Sequence, residues 1–516
     1  MKKARTSDTD PLYVNSVSVR QGYGLIGMTL CPGKKYLSPY TGPWDRDLRL
    51  DLEAIKSFGA CALVTLMEAH EFDMVGVSLN SMAAETDRLG IEWHHLPVKD
   101  VNVPCETFED QWTYSGMRLR HLLRQGKNIV IHCLGGLGRS GTIAAKLLVE
   151  FGHSPVDAIS AVRQARHGAI ETKAQEDYVR ATRPLADDAK LSMADRRLGC
   201  ILGGAIGDGF GYAVEFTSIE NIRCNFGPAG LTSPIYTHGK LDVSDDTQMT
   251  LFTLQGLLSA REAGENDPIG SIRAAYLEWL YTQHQRMPGG TTQSWLGRQP
   301  EMYESRAPGN TCLSALRAGG GGSVAEPVNI SKGCGGVMRV APIGLLTSLT
   351  PERAFELGAQ AASLTHGHPS GYLSAGMMSV IVRLLMDGSE LRAAVRRSGE
   401  ILTSYSGHAE TTEAVRKATA LAGSSRDHVK AIGSLGGGWV GEEALAIALY
   451  SVLSEETFVE AIQIAANHSG DSDSTASIAG QLWGAQHGIK GMPHEWIEKL
   501  DVLLPGLHLV RCLNAT

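Results

Sequence analysis

Gly470-Asp471-Ser472-Asp473-Ser474-Thr475-Ala476 places two carboxylates two residues apart, each followed by a hydroxyl, just after a glycine. From Ala476 to Ala485 the chain turns small and apolar, the pattern of a helix. Asp471 and Asp473 therefore belong at or just before a helix N-terminus, where free N–H groups tolerate negative charge. Two aspartates this close still repel each other unless a cation lies between them. Hard oxygen donors of this kind suit Mg²⁺ or Mn²⁺ rather than zinc. Runs of Asp, Ser and Gly are more often loops and caps than metal sites. A second cluster of the same kind, Ser244-Asp245-Asp246-Thr247, precedes another helical run, Met249 to Ala260. The repetition suggests that the intervening chain folds to bring the two together.

Composition bounds the remaining possibilities. A chain of 516 residues accommodates two or three domains, and 43% hydrophobic with 20% charged residues is ordinary for a globular protein. The 59 glycines favour tight turns and close helix contacts. A net charge of −8 argues against a nucleic-acid partner. Nine scattered cysteines without zinc spacing fit reduced thiols, and no apolar run reaches membrane-spanning length. The expectation is a cytoplasmic protein with no membrane partner.

Residues 1–14 are polar and expected to be loose. From residue 15 to 185, apolar strand-like runs at Tyr23–Leu30, Cys61–Leu66, Ile91–Leu96 and Asn128–His132 alternate with helical periods near 48–58, 78–89, 107–125, 140–152 and 155–165. Pro32 to Pro43 reads as a loop. Strands alternating with helices predict an α/β layer with a mostly parallel sheet. A polar stretch at 186–192 reads as a linker. From 193 to 516 the strand pattern disappears and helical periodicity dominates, which predicts an all-α bundle with long polar loops. The helices expected there include 194–206, 247–263, 474–486 and 493–503.

The strand at 128–132 runs into His132-Cys133-Leu134-Gly135-Gly136-Leu137-Gly138-Arg139-Ser140-Gly141-Thr142. A cysteine at a strand end, followed by a glycine-rich loop that opens a helix, predicts a phosphate cradle. N–H groups of Leu134, Gly135, Gly136, Leu137 and Gly138 can point inward together. The same dipoles and Arg139 favour the Cys133 thiolate. Arg139 offers a planar fork to two phosphoryl oxygens. Ser140 can donate to the sulfur and assist its departure. His132 is better placed to orient the loop backbone than to act as a base.

This stretch resembles the Cys-x5-Arg signature of the protein tyrosine and dual-specificity phosphatases, most closely the kinase-associated phosphatase branch, over about residues 15–185. The resemblance implies a leaving-group acid on an upstream loop. Asp100, in His95-Leu96-Pro97-Val98-Lys99-Asp100, occupies that place. It also implies a two-step mechanism through phosphocysteine that needs no metal.

Four stretches of the second region resemble the ADP-ribosylglycohydrolase family. They are Gly203–Glu215, Ser244–Met249, Gly335–Pro342 and Gly470–Ala476. The resemblance implies two Mg²⁺ or Mn²⁺ ions held by Ser244, Asp245, Asp246, Asp471, Asp473 and Ser474. It assigns Glu215 a catalytic acid or base role and brings His366 near the substrate. Gly333, Gly335 and Gly336 would offer backbone N–H groups to the diphosphate. Here Gly333-Cys334-Gly335 replaces the more usual Gly-Asn-Gly, which costs an amide contact, and Cys334 reads as a packed thiol. Trp439 could stack on adenine, but its pattern favours core packing.

The expected function is a bifunctional hydrolase, acting on a phosphorylated substrate and on an ADP-ribosylated protein or ADP-ribose derivative. One alternative makes the first domain a phosphate-recognising targeting module. Another directs the helical domain to a different ribosyl metabolite.

Overall fold

The apolar runs around Ile26, Val64 and Ile131 form the middle of a five-stranded sheet in the computed structural model, which describes residues 3–38, 42–185, 191–289, 292–424 and 427–515. The chain divides into two units, Met1–Lys190 and Leu191–Thr516. Of the expected linker, 186–190 lies outside the described residues. Ser192 already caps the first helix of the second unit, accepting from Asp195 N–H.

In the first unit the strands are β1 (Asn15–Ser18), β2 (Leu25–Leu30), β3 (Lys35–Ser38), β4 (Gly42–Asp45), β5 (Ala60–Thr65), β6 (Glu92–His95) and β7 (Asn128–Cys133). The main sheet has the order β1-β2-β7-β5-β6. Only β1 runs antiparallel to its neighbour. The helices are α1 (Leu48–Ser57), α2 (Ala69–Met74), α3 (Leu79–Arg88), α4 (Glu106–Arg124), α5 (Gly138–Glu150), α6 (Pro155–Ala165) and α7 (Lys173–Ala181). Alternation along the strands builds one apolar layer on each face. Ile129, Ile131, Ala62 and Val64 pack with Phe108, Ile143 and Leu147, while Val130 and Leu63 pack with Leu52, Phe72 and Met82. Register pairs Leu30 with Cys133, and Thr65 with both His132 and His95. The carboxyl ends of four strands therefore converge, the edge at which parallel sheets bind ligands.

The second unit is helical. Its α8 (Met193–Tyr212), α9 (Ile219–Phe226) and α10 (Asp245–Glu262) are followed by further helices, among them Ser472–His487. Glycines on α8 and on Ser472–His487 let the two helix backbones touch. A Cβ at Gly203 would collide with the Gly480 carbonyl, and one at Gly207 with that of Ala476. This contact sets the start of Ser472–His487 beside the C-terminal half of α8. Among the described residues no helix is long and apolar enough to cross a membrane.

Four expectations need correction. Residues 5–13 are tied down rather than loose: Ser7 donates to Asp51 at 2.8 Å, and Thr29 donates to the Tyr13 carbonyl at 3.0 Å. The stretch read as a loop at 32–43 holds β3 and the start of β4, paired as an antiparallel hairpin, and 39–41 lies outside the described residues. The helix expected at 194–206 continues to Tyr212, because its glycines, poor helix formers alone, are what the close contact requires. The expected 493–503 helix is two, His494–Glu498 and Leu503–Asn514. Leu241 exchanges backbone bonds with Lys499 and Asp501 and breaks the run between them.

Candidate active sites

Cys133 ends β7, buried to 3% exposure, and the next residues form a tight loop into α5. The Gly136 N–H donates to Cys133 Sγ at 3.2 Å. Gly136 has φ +71°, and a Cβ there would strike the Thr29 backbone, so only glycine lets the loop pass the end of β2. The loop's carbonyls are tied from outside. Lys34 Nζ donates to Leu134 O at 3.3 Å and Arg166 Nη2 to Gly135 O at 3.0 Å. Those bonds hold the peptide planes of Leu134 and Gly135 by their carbonyl side and bring two cations to the loop. Arg166 is itself held by Asn15 Oδ1 at 2.6 Å.

Arg139 is buried. Its Nη1 and Nη2 donate to the two carboxylate oxygens of Glu71 at 2.6 and 2.7 Å, and Nη1 also reaches the carbonyls of Leu66 and Val98. Burial is the largest single influence and works against its charge, but the Glu71 hydrogen bonds together with the negative charges of Cys133, Glu71 and Asp100 outweigh it, and the guanidinium is held firmly protonated. Nη2 also pairs with Asp100 Oδ1 at 2.8 Å, so the loop acid reaches the site while its side chain stays 57% exposed. Val101 beside it has φ +60°, a strained setting for a β-branched residue. Ser140 does not make the expected bond to sulfur; its hydroxyl is fully buried and has no hydrogen-bond partner among the described residues. His132 Nε2 meets Thr65 Oγ1 at 2.7 Å, and burial pushes its pKa down to about 3, which suits a neutral scaffold residue.

In the second unit the two acidic clusters come together. Glu215, Asp245, Asp246, Asp471, Asp473 and Ser474 line one pocket of about 200 Å³, together with Gly333, Cys334, Gly335, His366 and Trp439. Asp471 caps Ser472–His487, accepting from Ser474 N–H, and Ser244 caps α10, accepting from Asp246 N–H. Ser244 lies beneath the pocket, fully buried, with its hydroxyl used for the cap. Gly336 is also absent from the lining and packs against Ala362.

The electrostatics are severe. Burial first, then the neighbouring carboxylates Asp208 and Asp471, push Asp245 up to about 8. Burial followed by Asp471, Asp245 and Asp208 raises Glu215 to about 8. Asp246 and Asp473 are raised well above the carboxylate range for the same reasons. Among the described residues no Lys or Arg forms an ion pair with these four aspartates, and buried Asp246 Oδ2 has no hydrogen-bond partner. An all-oxygen donor set with uncompensated charge fits a divalent cation. The donors are not drawn tight: among the described residues no three acidic side chains of the pocket bring oxygens within 4.8 Å of one another.

Several residues of both sites escaped the sequence reading. Glu71, Lys34 and Arg166 lie far from Cys133 in sequence. Asp208 falls inside the Gly203–Glu215 stretch, with no role assigned to it there. Its buried carboxylate accepts from the backbone N–H groups of Ser244 and Thr247, at 2.9 and 3.0 Å, and so shapes the turn into α10. Capping-like Asp208 sits inside a helix, where no local signal separates it from an ordinary polar residue. Trp439 corrects the core-packing reading. It is 50% exposed at the pocket mouth and stacks on Phe216, with ring centroids 5.2 Å apart and planes at 18°. His366, buried at the pocket wall, bonds Thr365 Oγ1 at 2.8 Å, and burial lowers its pKa to about 3. Cys334 is not simply packed: its thiol donates to Asp471 Oδ2 at 3.0 Å.

Residues 189–513 match the family described as ADP-ribosylglycohydrolase, and residues 43–153 match one described as the DSP-PTPase phosphatase of polymorphic toxin systems. The ADP-ribosylarginine hydrolase Tri1 of Pseudomonas putida is 26% identical over 310 residues, 59% of this chain and 74% of that protein. The ADP-ribosyl-[dinitrogen reductase] glycohydrolase of Rhodospirillum rubrum is 25% identical over 316 residues, 60% of this chain and 92% of that protein. Cyclin-dependent kinase inhibitor 3 of Homo sapiens is 30% identical over 162 residues, 30% of this chain and 69% of that protein.

Proposed function

The chain belongs to the ADP-ribosylglycohydrolase family and carries a phosphatase domain of the dual-specificity type ahead of it, and from that premise we propose that it is a bifunctional hydrolase with two working centres. The observation that carries this reading is that each unit assembles a full set of reactive groups: Cys133 with Arg139 and Asp100, and Glu215 with the four aspartates.

In the first centre Cys133 sulfur attacks phosphorus while Asp100 passes a proton to the departing oxygen. A sulfur–phosphorus bond forms and the phosphorus–oxygen ester bond breaks. Water then cleaves the phosphocysteine, giving its proton to Asp100 and releasing phosphate. Arg139, held by Glu71 through both terminal nitrogens, keeps its Nε–H for a phosphoryl oxygen, with Nη2 joining when Asp100 turns to the leaving oxygen, and the loop N–H groups from Leu134 to Gly138 would complete the cradle.

In the second centre Asp245, Asp246, Asp471, Asp473 and Ser474 would hold divalent cations, Mg²⁺ or Mn²⁺, with Ser244 shaping the turn that presents the first two. Bound there, such ions supply Lewis-acid polarisation and a grip on ribose hydroxyls. Glu215 lines the same pocket as these carboxylates and is placed to exchange a proton with the leaving group or the attacking water at the anomeric carbon. Gly333 and Gly335 face the pocket and would take the diphosphate, and Trp439 with Phe216 offers an exposed aromatic face for the base. Two relatives are named for bonds to ADP-ribosyl groups on arginine or on a protein. The proposed scissile bond here is the glycosidic bond between ADP-ribose and a protein side chain, with arginine the first to test.

The test incubates the full chain with Mg²⁺ and an ADP-ribosylated protein panel, and in separate reactions with an aryl phosphate that carries no ADP-ribose. Free ADP-ribose and phosphate are read by mass spectrometry. Cys133→Ser is expected to abolish phosphate release alone, and Asp245→Ala ADP-ribose release alone. No ADP-ribose release by the parent chain from any substrate overturns the second assignment. Phosphate binding without turnover by the parent makes the first unit a targeting module.

A further inference from the structure

Cys334 stands inside the proposed cation pocket, not beside it. Its thiol donates to Asp471 Oδ2 at 3.0 Å, and its sulfur accepts from Ser474 Oγ at 3.6 Å. Two of the expected oxygen ligands are thus already within contact of one sulfur atom. The backbone fixes that placement, since Cys334 N–H donates to Trp439 O at 3.2 Å and Gly333 bridges Val440. An independent feature of the same pocket points to a missing ligand. Asp246 is 3% exposed, and its Oδ2 has no hydrogen-bond partner among the described residues. A buried carboxylate oxygen left unpaired destabilises the fold, and a cation in the pocket would remove that cost. Cys334 and Asp246 line the same pocket; among the described residues the sulfur and two carboxylate oxygens do not all lie within 4.8 Å of one another, so a bound ion has to draw them together.

An oxygen-only set selects Mg²⁺ and Mn²⁺, whereas one thiolate shifts selection sharply toward softer ions. Coordination also favours loss of the thiol proton outright. We propose that Cys334 is a ligand of this centre, making it a mixed carboxylate–sulfur site that takes a soft divalent ion, Zn²⁺ or Cd²⁺, more tightly than its oxygens alone would. Binding forms one sulfur–metal bond, breaks the sulfur–hydrogen bond and releases that proton to solvent; no oxidant or reductant takes part. The inference rests on the reading of these aspartates as a cation site, and it adds what that reading does not contain: an ion preference set by one residue of this chain.

The experiment uses the full chain in a Cys133→Ser background, so that the thiol of the other centre does not compete. Cd²⁺ is titrated and the ultraviolet sulfur-to-cadmium charge-transfer absorption is followed, together with proton release in weak buffer. Mn²⁺ binding is measured separately by the paramagnetic signal of the free ion. The expected result is a saturable absorption that Cys334→Asn lowers by one thiolate per chain. With it the Cd²⁺ dissociation constant rises at least about tenfold, while Mn²⁺ binds both proteins alike. Retained Mn²⁺ binding also shows that the variant is folded. Equal Cd²⁺ absorption and affinity in both proteins overturn the assignment of Cys334 and leave the oxygen site standing. Failure of the parent chain to bind Mn²⁺ or Cd²⁺ in any way that Asp246→Asn weakens overturns the cation site itself, and Cys334 with it.

Discussion

Glu71 grips Arg139 by both ends of its guanidinium, at 2.6 and 2.7 Å, with the two side chains 3% and 1% exposed. The pair fixes the plane of the fork beside Cys133, leaving Arg139 Nε without a partner among the described residues. Glu71→Gln keeps the volume and one acceptor but loses the charge. It is expected to lower kcat/KM for an aryl phosphate by about tenfold, chiefly through KM, as suits a positioning residue. Glu71→Ala, which leaves a buried guanidinium unpaired, is expected to destabilise the first unit by about 3–5 kcal/mol. Unchanged steady-state kinetics in Glu71→Gln would remove Glu71 from the site.

Asp100 meets Arg139 from an exposed loop, at 2.8 Å. If it delivers the proton to the departing oxygen, Asp100→Asn must hurt poor leaving groups most. A loss of about 10²–10⁴ is expected on alkyl phosphates, and a much smaller one on a nitrophenyl phosphate, whose oxygen leaves without help. A uniform loss on both would show that Asp100 only shapes the loop.

His132 is buried, bonded to Thr65, with its pKa lowered to about 3. The unfolded chain takes up that proton near its ordinary value, about 6.5. Between these values the unfolded state binds more protons, so native stability is full above about pH 6.5 and falls as pH drops towards 3. The loss approaches about 1.4 kcal/mol per pH unit in mid-window. Hydrogen-exchange protection of the β7 amides, corrected for intrinsic exchange, should show this slope and lose it in His132→Asn. A slope that survives the substitution assigns the acid sensitivity to other groups.

Gly207 on α8 lies against the Ala476 carbonyl of Ser472–His487. A side chain there must push apart the two helices that set Asp208 and the Asp471 cap beside each other. Gly207→Val is expected to cost more than the usual 1–3 kcal/mol of overpacking, roughly, because a backbone blocks it. Thermal unfolding of the second unit should move down by several degrees, and ADP-ribose release should disappear while phosphate release persists. Wild-type melting in Gly207→Val would mean the contact is looser than the structure has it.

Much of both sites was legible locally. The Cys133 loop is a strand end, a glycine turn and a helix start written in eleven consecutive residues. Dipoles and N–H groups act over that same short range, so the sequence pattern and the geometry coincide. The aspartate clusters behaved likewise: each precedes a helix, and each became the cap or first turn of one. The β3–β4 hairpin was missed because four-residue strands carry too little alternation to register, and the end of α8 because its glycines argue against a helix until a second helix is laid on them.

Sequence alone determined the two architectures, the glycine-rich Cys133 loop and the acidic helix starts, since each depends on interactions between residues a turn or a few positions apart. Tertiary structure decided the rest. Glu71 reaches Arg139 only because the segment after β5 lies beside the start of α5. Lys34 and Arg166 converge on one loop from opposite ends of their unit, and Trp439 is an exposed rim residue because Phe216 meets it there. Cys334 is a pocket ligand candidate instead of a packed thiol because Asp471, 137 positions along the chain, is placed 3.0 Å from its sulfur. Such pairings are set by the packing of whole elements, and the energies that choose them, burial and charge in a low-dielectric interior, have no signature in the residues immediately around each partner.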